Sequence, residues 1–265
     1  VRSKGAGGAR TRQASPRALA IAGGVVLAIV IAIVLGVVLS NNSSGGGGGI
    51  VSSSDLSSLP PVGSQSSSSA PAGAPEANAL FKGIPQNGLT LGDPKAPVTM
   101  EMFIDVQCPV CQDYEVNHLP GVVKKYIADG KVQLQLKPWA FIGSQSFTGR
   151  RAVFAAADQN KGFEYAKLLY DNQQQERSGW LTGRQMAIIA SGVNGLNLSE
   201  WRDAVNASAS ASSGKEVDKL AAQKKVQGTP TILVGPTGGN LQEATGSTYN
   251  PDAVIQALNA AVANS

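Results

Sequence analysis

The pattern of apolar and polar positions divides the chain into three regimes. From Ala18 to Leu39, 22 successive positions carry no charged or strongly polar side chain. As a helix this run rises about 33 Å, the depth of a bilayer's hydrocarbon core. It is apolar all round, unlike the one-sided stripe of a helix packed on a domain. From residue 40 to 79 Ser, Gly, Pro and Ala prevail, with an uninterrupted glycine run from Gly45 to Gly49. Such a composition buries too little surface to offset its ordering entropy and predicts a flexible tether. Periodic patterns begin only after Leu80, in about 185 residues, enough to bury a core without staples.

Within that last regime, Val98 to Ile104 follows Pro97 as an apolar, alternating run and predicts a strand. Residues 109 to 128 have helical spacing, with Tyr114, His118, Val122 and Tyr126 along one row and a kink expected at Pro120. Val132 to Leu136 alternates strictly, a second strand. Residues 150–159, 163–172, 182–192, 199–205 and 215–225 read as helices between Gly and polar breaks. Arg150 and Arg151 are expected on a solvated helix face, and Trp139, Trp180 and Trp201 in the core. Thr231 to Val234 is a short buried strand. Residues 240–245 pair with it after the Gly238-Gly239 turn, and 251–263 form a last helix with Pro near its start. The order predicts an α/β sheet with a helical insertion over about 146–225, in a domain spanning 80–265.

Charge sharpens the picture at the N-terminus. Five of the 22 Lys and Arg residues, Arg2, Lys4, Arg10, Arg12 and Arg17, lie in residues 1–17, and no acid precedes Asp55. With basic residues before the apolar run and Ser, Asn and Gly after it, the positive-inside rule puts the N-terminus in the cytoplasm and all beyond Leu39 outside. A cleaved signal peptide has a shorter apolar region and a small-x-small site. Here Ser40-Asn41-Asn42 follows, so 18–39 is expected to be an uncleaved, single-pass anchor in the cell membrane. Past residue 40 acids and bases nearly balance, which excludes a nucleic-acid partner built on surplus cation.

The chemistry rests on Cys108-Pro109-Val110-Cys111. Two cysteines and one histidine are too few for a disulfide scaffold or an unaided four-ligand zinc site. Neither a metal nor a cofactor is expected. A thiolate, not a thiol, attacks disulfides. A strand ending at a helix N-terminus lowers a cysteine pKa without a metal, through unpaired N–H groups and the macrodipole. Cys108 stands at that junction. Pro109 costs no hydrogen bond in the first turn, and Cys111, one turn on, faces the same way. Cys108 is therefore the expected exposed nucleophile and Cys111 the shielded partner. Val226 to Thr231 leads into a strand through Thr229-Pro230, where an X-Pro bond is either cis or an ordinary trans turn. His118 lies about 15 Å along the helix from Cys108, beyond the reach of a general base. Glu101 and Asp105 precede the pair. Each is either an ordinary strand residue or a carboxylate that shuttles a proton to Cys111.

The block Ala96-Pro97-Val98-Thr99, with Phe103-Ile104-Asp105-Val106-Gln107-Cys108-Pro109-Val110-Cys111, resembles the opening of DsbA-family thioredoxin domains. The helical insertion and Gly228-Thr229-Pro230-Thr231 resemble later parts of the same family. The resemblance implies a thioredoxin-like fold over about 80–265, with Cys108 as nucleophile and Cys111 as resolving cysteine. It makes Pro230 a cis-proline facing the pair, Thr229 a residue presenting backbone to substrate, and Asp105 a neighbour of the redox pair. It also implies disulfide donation to exported protein thiols and recharging by a quinone-linked membrane partner of the DsbB or vitamin-K-epoxide-reductase type. One departure bears on direction. Strongly oxidising DsbA proteins carry His between the cysteines, where this chain has Val110, which neither donates a hydrogen bond nor carries charge. A Cys108 pKa below the free value, but above the lowest known for such motifs, is the expectation. A reductase or isomerase, and a tethered binding module with a structural disulfide, stand as alternatives to an oxidase.

Overall fold

The computed structural model describes residues 49–59, 70–244 and 249–265. The expected anchor at 18–39 and the basic tail at 1–17 lie outside the described residues. Among those described, no helix is long and apolar enough to cross a membrane.

Two short helices, α1 (Ser53–Ser57) and α2 (Ala74–Leu80), precede a hairpin of two-residue strands, β1 (Gln86–Asn87) and β2 (Thr90–Leu91). Strand β3 (Val98–Ile104) runs into α3 (Pro109–Asp113). The helix continues as a π turn (Tyr114–His118), α4 (Leu119–Val122) and a second π turn (Val123–Ile127). Strand β4 (Val132–Pro138) leads into the insertion: α5 (Ser144–Ala157), α6 (Gly162–Asp171), α7 (Gly183–Ser191), α8 (Leu198–Asn206) and α9 (Ser208–Gln223). Strands β5 (Thr231–Pro236) and β6 (Gln242–Glu243) and helix α10 (Pro251–Ala263) close the domain.

The sheet order is β1-β2-β4-β3-β5-β6. Strand β3 is central and buried along its whole length. It pairs parallel with β4, from Val98 opposite Val132 to Ile104 opposite Pro138, and antiparallel with β5. A parallel pair needs a crossover, and the helix from Pro109 to Ile127 supplies it. Val98, Met100, Met102 and Ile104 enter the main core with Val122, Val254 and Leu258. Phe103, on the opposite face, packs with Phe154, Val217, Ala221 and Leu233. Helices thus cover both faces, and the expected thioredoxin-like α/β sheet with a helical insertion is what the chain forms.

Local expectations meet the structure differently. At Pro120, where a kink was expected, the helix runs on with its winding changed, a π turn before it and another after it. The π turn ends at His118, which puts Pro120 in the first turn of α4, where its missing N–H costs nothing. Arg150 is not on a solvated face. It is buried against α9, donating to both carboxylate oxygens of Asp218 at 2.6 and 3.0 Å.

Nor is all of 40–79 a free tether. Val51 is 1% exposed, and its backbone is bracketed by the Asn206 side chain, which donates to its carbonyl at 2.7 Å and accepts from its N–H at 3.3 Å. Helix α1, capped by Ser52 and Asp55, lies against α7 and α8, and Gly183 is where a side chain would collide with the Ile50 carbonyl. Leu56 and Leu59 add apolar contacts to the core. A few well-spaced apolar residues and two backbone brackets outweigh the Ser-rich composition. Helix α2, with Ala74 and Ala77 buried, belongs to the domain as well.

Candidate active site

Strand β3 delivers the chain to the cysteine pair through a three-residue loop, Asp105 to Gln107. The Cys108 N–H donates to the Asp105 carbonyl at 2.9 Å, and Cys108 itself is the N-cap of α3, with Pro109 in the first turn. Its extended backbone turns Sγ back over the helix end, where it accepts from the Cys111 N–H at 3.4 Å. Both thiols are unpaired.

The two sulfurs sit in different environments. Cys108 is held below the ordinary thiol range, at about 6, chiefly by a hydrogen bond from the Cys111 thiol; burial opposes this, and Thr229 and the Cys111 and Val110 N–H groups add to it. Cys111 is fully buried, and burial pushes its pKa well up. Cys108 is less open than an exposed nucleophile was expected to be, at 6% of its surface. The covering group is Thr229, whose carbonyl oxygen lies 3.3 Å from Sγ. The Thr229–Pro230 bond is cis. Beside this narrow opening Val110 is 37% exposed. An incoming sulfur therefore finds exposed surface on Cys108 and none on Cys111.

Asp105 lies at the pair through its backbone, while its carboxylate turns the other way. One oxygen accepts from the Gln107 N–H at 2.9 Å and the Ser146 hydroxyl at 2.7 Å. The other accepts from the Phe141 and Ile142 N–H groups at 2.8 and 3.0 Å. Gln107 extends the network. Its side chain donates to Ser146 at 2.9 Å and accepts from the Arg177 N–H at 3.0 Å, and its carbonyl accepts from Gln173 at 2.8 Å. The loop before the nucleophile is thus clamped to the start of α5 and to the segment after α6. Asp105→Ala leaves three backbone N–H groups without their acceptor, that of Gln107 buried and those of Phe141 and Ile142 part-buried, at about 1–3 kcal/mol each where water does not reach them. We expect a loss of about 3–5 kcal/mol in urea unfolding; a loss below about 1 kcal/mol would show that water replaces the carboxylate.

The other residues singled out in the sequence separate clearly. Glu101 is buried on the far face of the sheet, ion-paired with Lys224 at 3.0 Å and Lys137 at 3.7 Å. His118 Nε2 lies 3.4 Å from the Asp113 carboxylate, and its ring contacts Tyr114 and Tyr249. Trp180 and Trp201 are buried, the latter donating to the Ala152 carbonyl at 2.9 Å, whereas Trp139 stacks on exposed Phe141 with ring centroids 4.6 Å apart. Sequence reasoning missed Gln107, Ser146, Tyr170 and Glu115. For Glu115 a signal existed: it follows Cys111 by four positions, the spacing of one helix face.

Comparisons with known proteins agree with this geometry. The family model described as thioredoxin matches residues 85–243. A probable disulfide bond formation protein D of Bacillus cereus is 29% identical over 155 residues, covering 57% of this chain and 70% of that protein. The oxidised crystal structure of BdbD from Bacillus subtilis superposes with a TM-score of 0.59 at 20% identity, over 67% of this chain and 94% of that one. Chlamydia trachomatis DsbA gives 0.56 at 21% identity, over 65% and 90%. At these identities the solved structures speak to the fold.

Proposed function

The chain belongs to the thioredoxin family, and from that premise we propose that it is a membrane-anchored thiol–disulfide oxidoreductase that forms disulfides in exported proteins outside the cytoplasm. Cys108 is the nucleophile and Cys111 the resolving cysteine. Thr229 offers its backbone to the substrate chain beside Pro230. Pro109 and Val110 set the environment of the nucleophile, and Asp105 holds its loop. A quinone-linked membrane partner of the DsbB or vitamin-K-epoxide-reductase type returns the pair to the disulfide. The anchor is the apolar run at 18–39, with the N-terminus cytoplasmic.

One observation carries this reading: the asymmetry of the two sulfurs, Cys108 held at about 6 at a helix N-terminus and Cys111 sealed and neutral beneath it. A stabilised Cys108 thiolate stabilises the dithiol form, and a stabilised dithiol makes the disulfide the stronger oxidant. This favours the oxidase over the reductase. With no histidine between the cysteines, the expected reduction potential lies between about −230 and −130 mV, above thioredoxin and at or below the strongest oxidants. Equilibration of the purified chain with glutathione buffers measures it, and thiolate absorbance gives the Cys108 midpoint. A potential near about −270 mV reverses the direction of use. A midpoint at or above about 8.5 removes the basis of the proposal.

A further inference from the structure

The reaction requires a proton at Cys111 that neither Asp105 nor Glu101 is placed to supply. When a substrate thiolate attacks Cys108, the sulfur that leaves is Cys111, which is 0% exposed. A lasting thiolate there is disfavoured by burial. All the hydrogen bonds to the Asp105 carboxylate come from the side away from the pair, and Glu101 is held by two lysines across the sheet.

A third buried carboxyl is differently placed. Glu115, 2% exposed, sits on the π turn Tyr114–His118, one turn beyond Cys111 on the same helix. Its Oε1 is buried and has no hydrogen-bond partner among the described residues. The helix segment bearing both residues packs on α6. From α6, the Tyr170 hydroxyl donates to the Asp105 carbonyl at 2.9 Å. Burial first, then charge on Cys111 and on Glu115, push that hydroxyl's pKa up, so it lies within electrostatic reach of both. Lys167, ion-paired with Asp171 on α6, is the cation acting on Glu115, and Asp171 and Tyr114 are its other titratable neighbours. Glu76 of α2 acts on Asp171. Burial raises the Glu115 carboxyl to about 8, so it is protonated at neutral pH. Beside this cluster opens a cavity of about 510 Å³, with Glu76, Lys124, Lys167 and Asp171 among its walls.

We propose that Glu115 is the internal proton donor and acceptor for Cys111. The inference rests on the oxidoreductase reading above. The substrate thiolate bonds to Cys108 Sγ, and the Cys108–Cys111 bond breaks. Its electron pair leaves on Cys111 Sγ, which takes the proton of the Glu115 carboxyl. Lys167 then faces the new carboxylate, which regains a proton from water through the cavity. The substrate's second thiolate attacks its own sulfur in the mixed disulfide, and Cys108 leaves as its stable thiolate. Two electrons have then passed from the substrate dithiol to the enzyme. When a partner disulfide recharges the pair through Cys108, the Glu115 proton first passes out to water, and as Cys111 attacks that mixed disulfide its proton moves to the freed carboxylate.

The test is single-turnover reduction of the disulfide enzyme by dithiothreitol, followed by stopped flow from pH 6 to 9.5 and normalised to the reagent's thiolate. The wild-type rate constant should fall as pH rises through about 8, where Glu115 loses its proton. Glu115→Gln should be at least about tenfold slower at pH 7, within the range lost with a general acid, and level across the series. A purely structural role would change melting and rate together and leave the profile's shape intact. Equal rates and profiles in the two proteins overturn the proposal. If the variant does not fold, the wild-type profile decides alone, and the absence of a descending limb near pH 8 overturns it. The two readings fail separately: a pair that exchanges disulfides normally while Glu115→Gln matches wild type sinks only the proton relay.

Discussion

Cys108→Ala and Cys111→Ala are each expected to abolish disulfide transfer to a reduced model protein, a loss of at least about 10³-fold, because neither can hold the disulfide, while with a disulfide-bonded model protein Cys111→Ala keeps the first exchange step and stalls on the second. The difference follows from geometry. Of the two sulfur-bearing residues Cys108 alone retains exposed surface, and it alone sits at the helix N-terminus where a thiolate is favoured. Without its sulfur no mixed disulfide forms. Without Cys111 the Cys108 thiolate still attacks a substrate disulfide and releases one substrate thiolate, but the mixed disulfide lacks its internal exit, so covalent enzyme–substrate adducts accumulate on non-reducing gels and are released by reductant. Cys111→Ala also deletes the largest single cause of the low Cys108 pKa, the hydrogen bond from the Cys111 thiol. The Cys108 titration in that variant should therefore move up from about 6. Adducts formed by Cys108→Ala, or equal adduct yields from both variants, would reverse the assigned roles.

What was legible in the chain and what was not divides along physical lines. Strands β3, β4 and β5 and most helices of the insertion were readable because each is long enough for its period to show. The cysteine pair was readable because a helix N-terminus, a Pro in the first turn and a one-turn spacing are all local. The two-residue strands β1 and β2 carry no period, and no pattern marks them. The docking of 49–59 was hidden because composition averages over a window, whereas one buried Val51 and the Asn206 bracket suffice to hold it. Arg150 was misplaced because its partner Asp218 is brought in by α9, 68 residues away. The supporting network of the site was lost for the same reason. Gln107, Ser146, Gln173 and Arg177 meet only after the insertion folds back on the sheet. Asp105 was rightly noticed, yet its carboxylate serves backbone groups of the β4–α5 loop, and no local rule gives a side chain's direction at the end of a buried strand.

In its disulfide form the enzyme should lose stability as pH rises from about 5 to 8, by about 1.4 kcal/mol per unit, while the dithiol form stays nearly level from about 6 to 8. Glu115 sets the first trend. Its folded pKa is raised by burial to about 8, against about 4.3 in the unfolded chain. Between those values the folded state holds one proton more, so stability is fully present below about 4.3 and is lost as pH climbs through about 8. Cys108 works with the opposite sign. Its folded value is lowered to about 6, against about 8.5 unfolded. Between them the unfolded state holds the extra proton, so this contribution is present above about 8.5 and is lost as pH falls through about 6. Cys111, raised by burial, keeps its proton in the folded dithiol throughout this window. Where the two windows overlap the proton counts cancel in the dithiol form. The disulfide form has no thiols, so the Glu115 slope stands alone. Half-buried Asp171 and exposed Asp158, both raised by desolvation, bend both curves alike. Urea unfolding of each form at several pH values reads this directly. Parallel curves for the two forms would mean that Cys108 is not ionised in the fold, and a disulfide form indifferent to pH would mean that Glu115 is not a buried neutral acid.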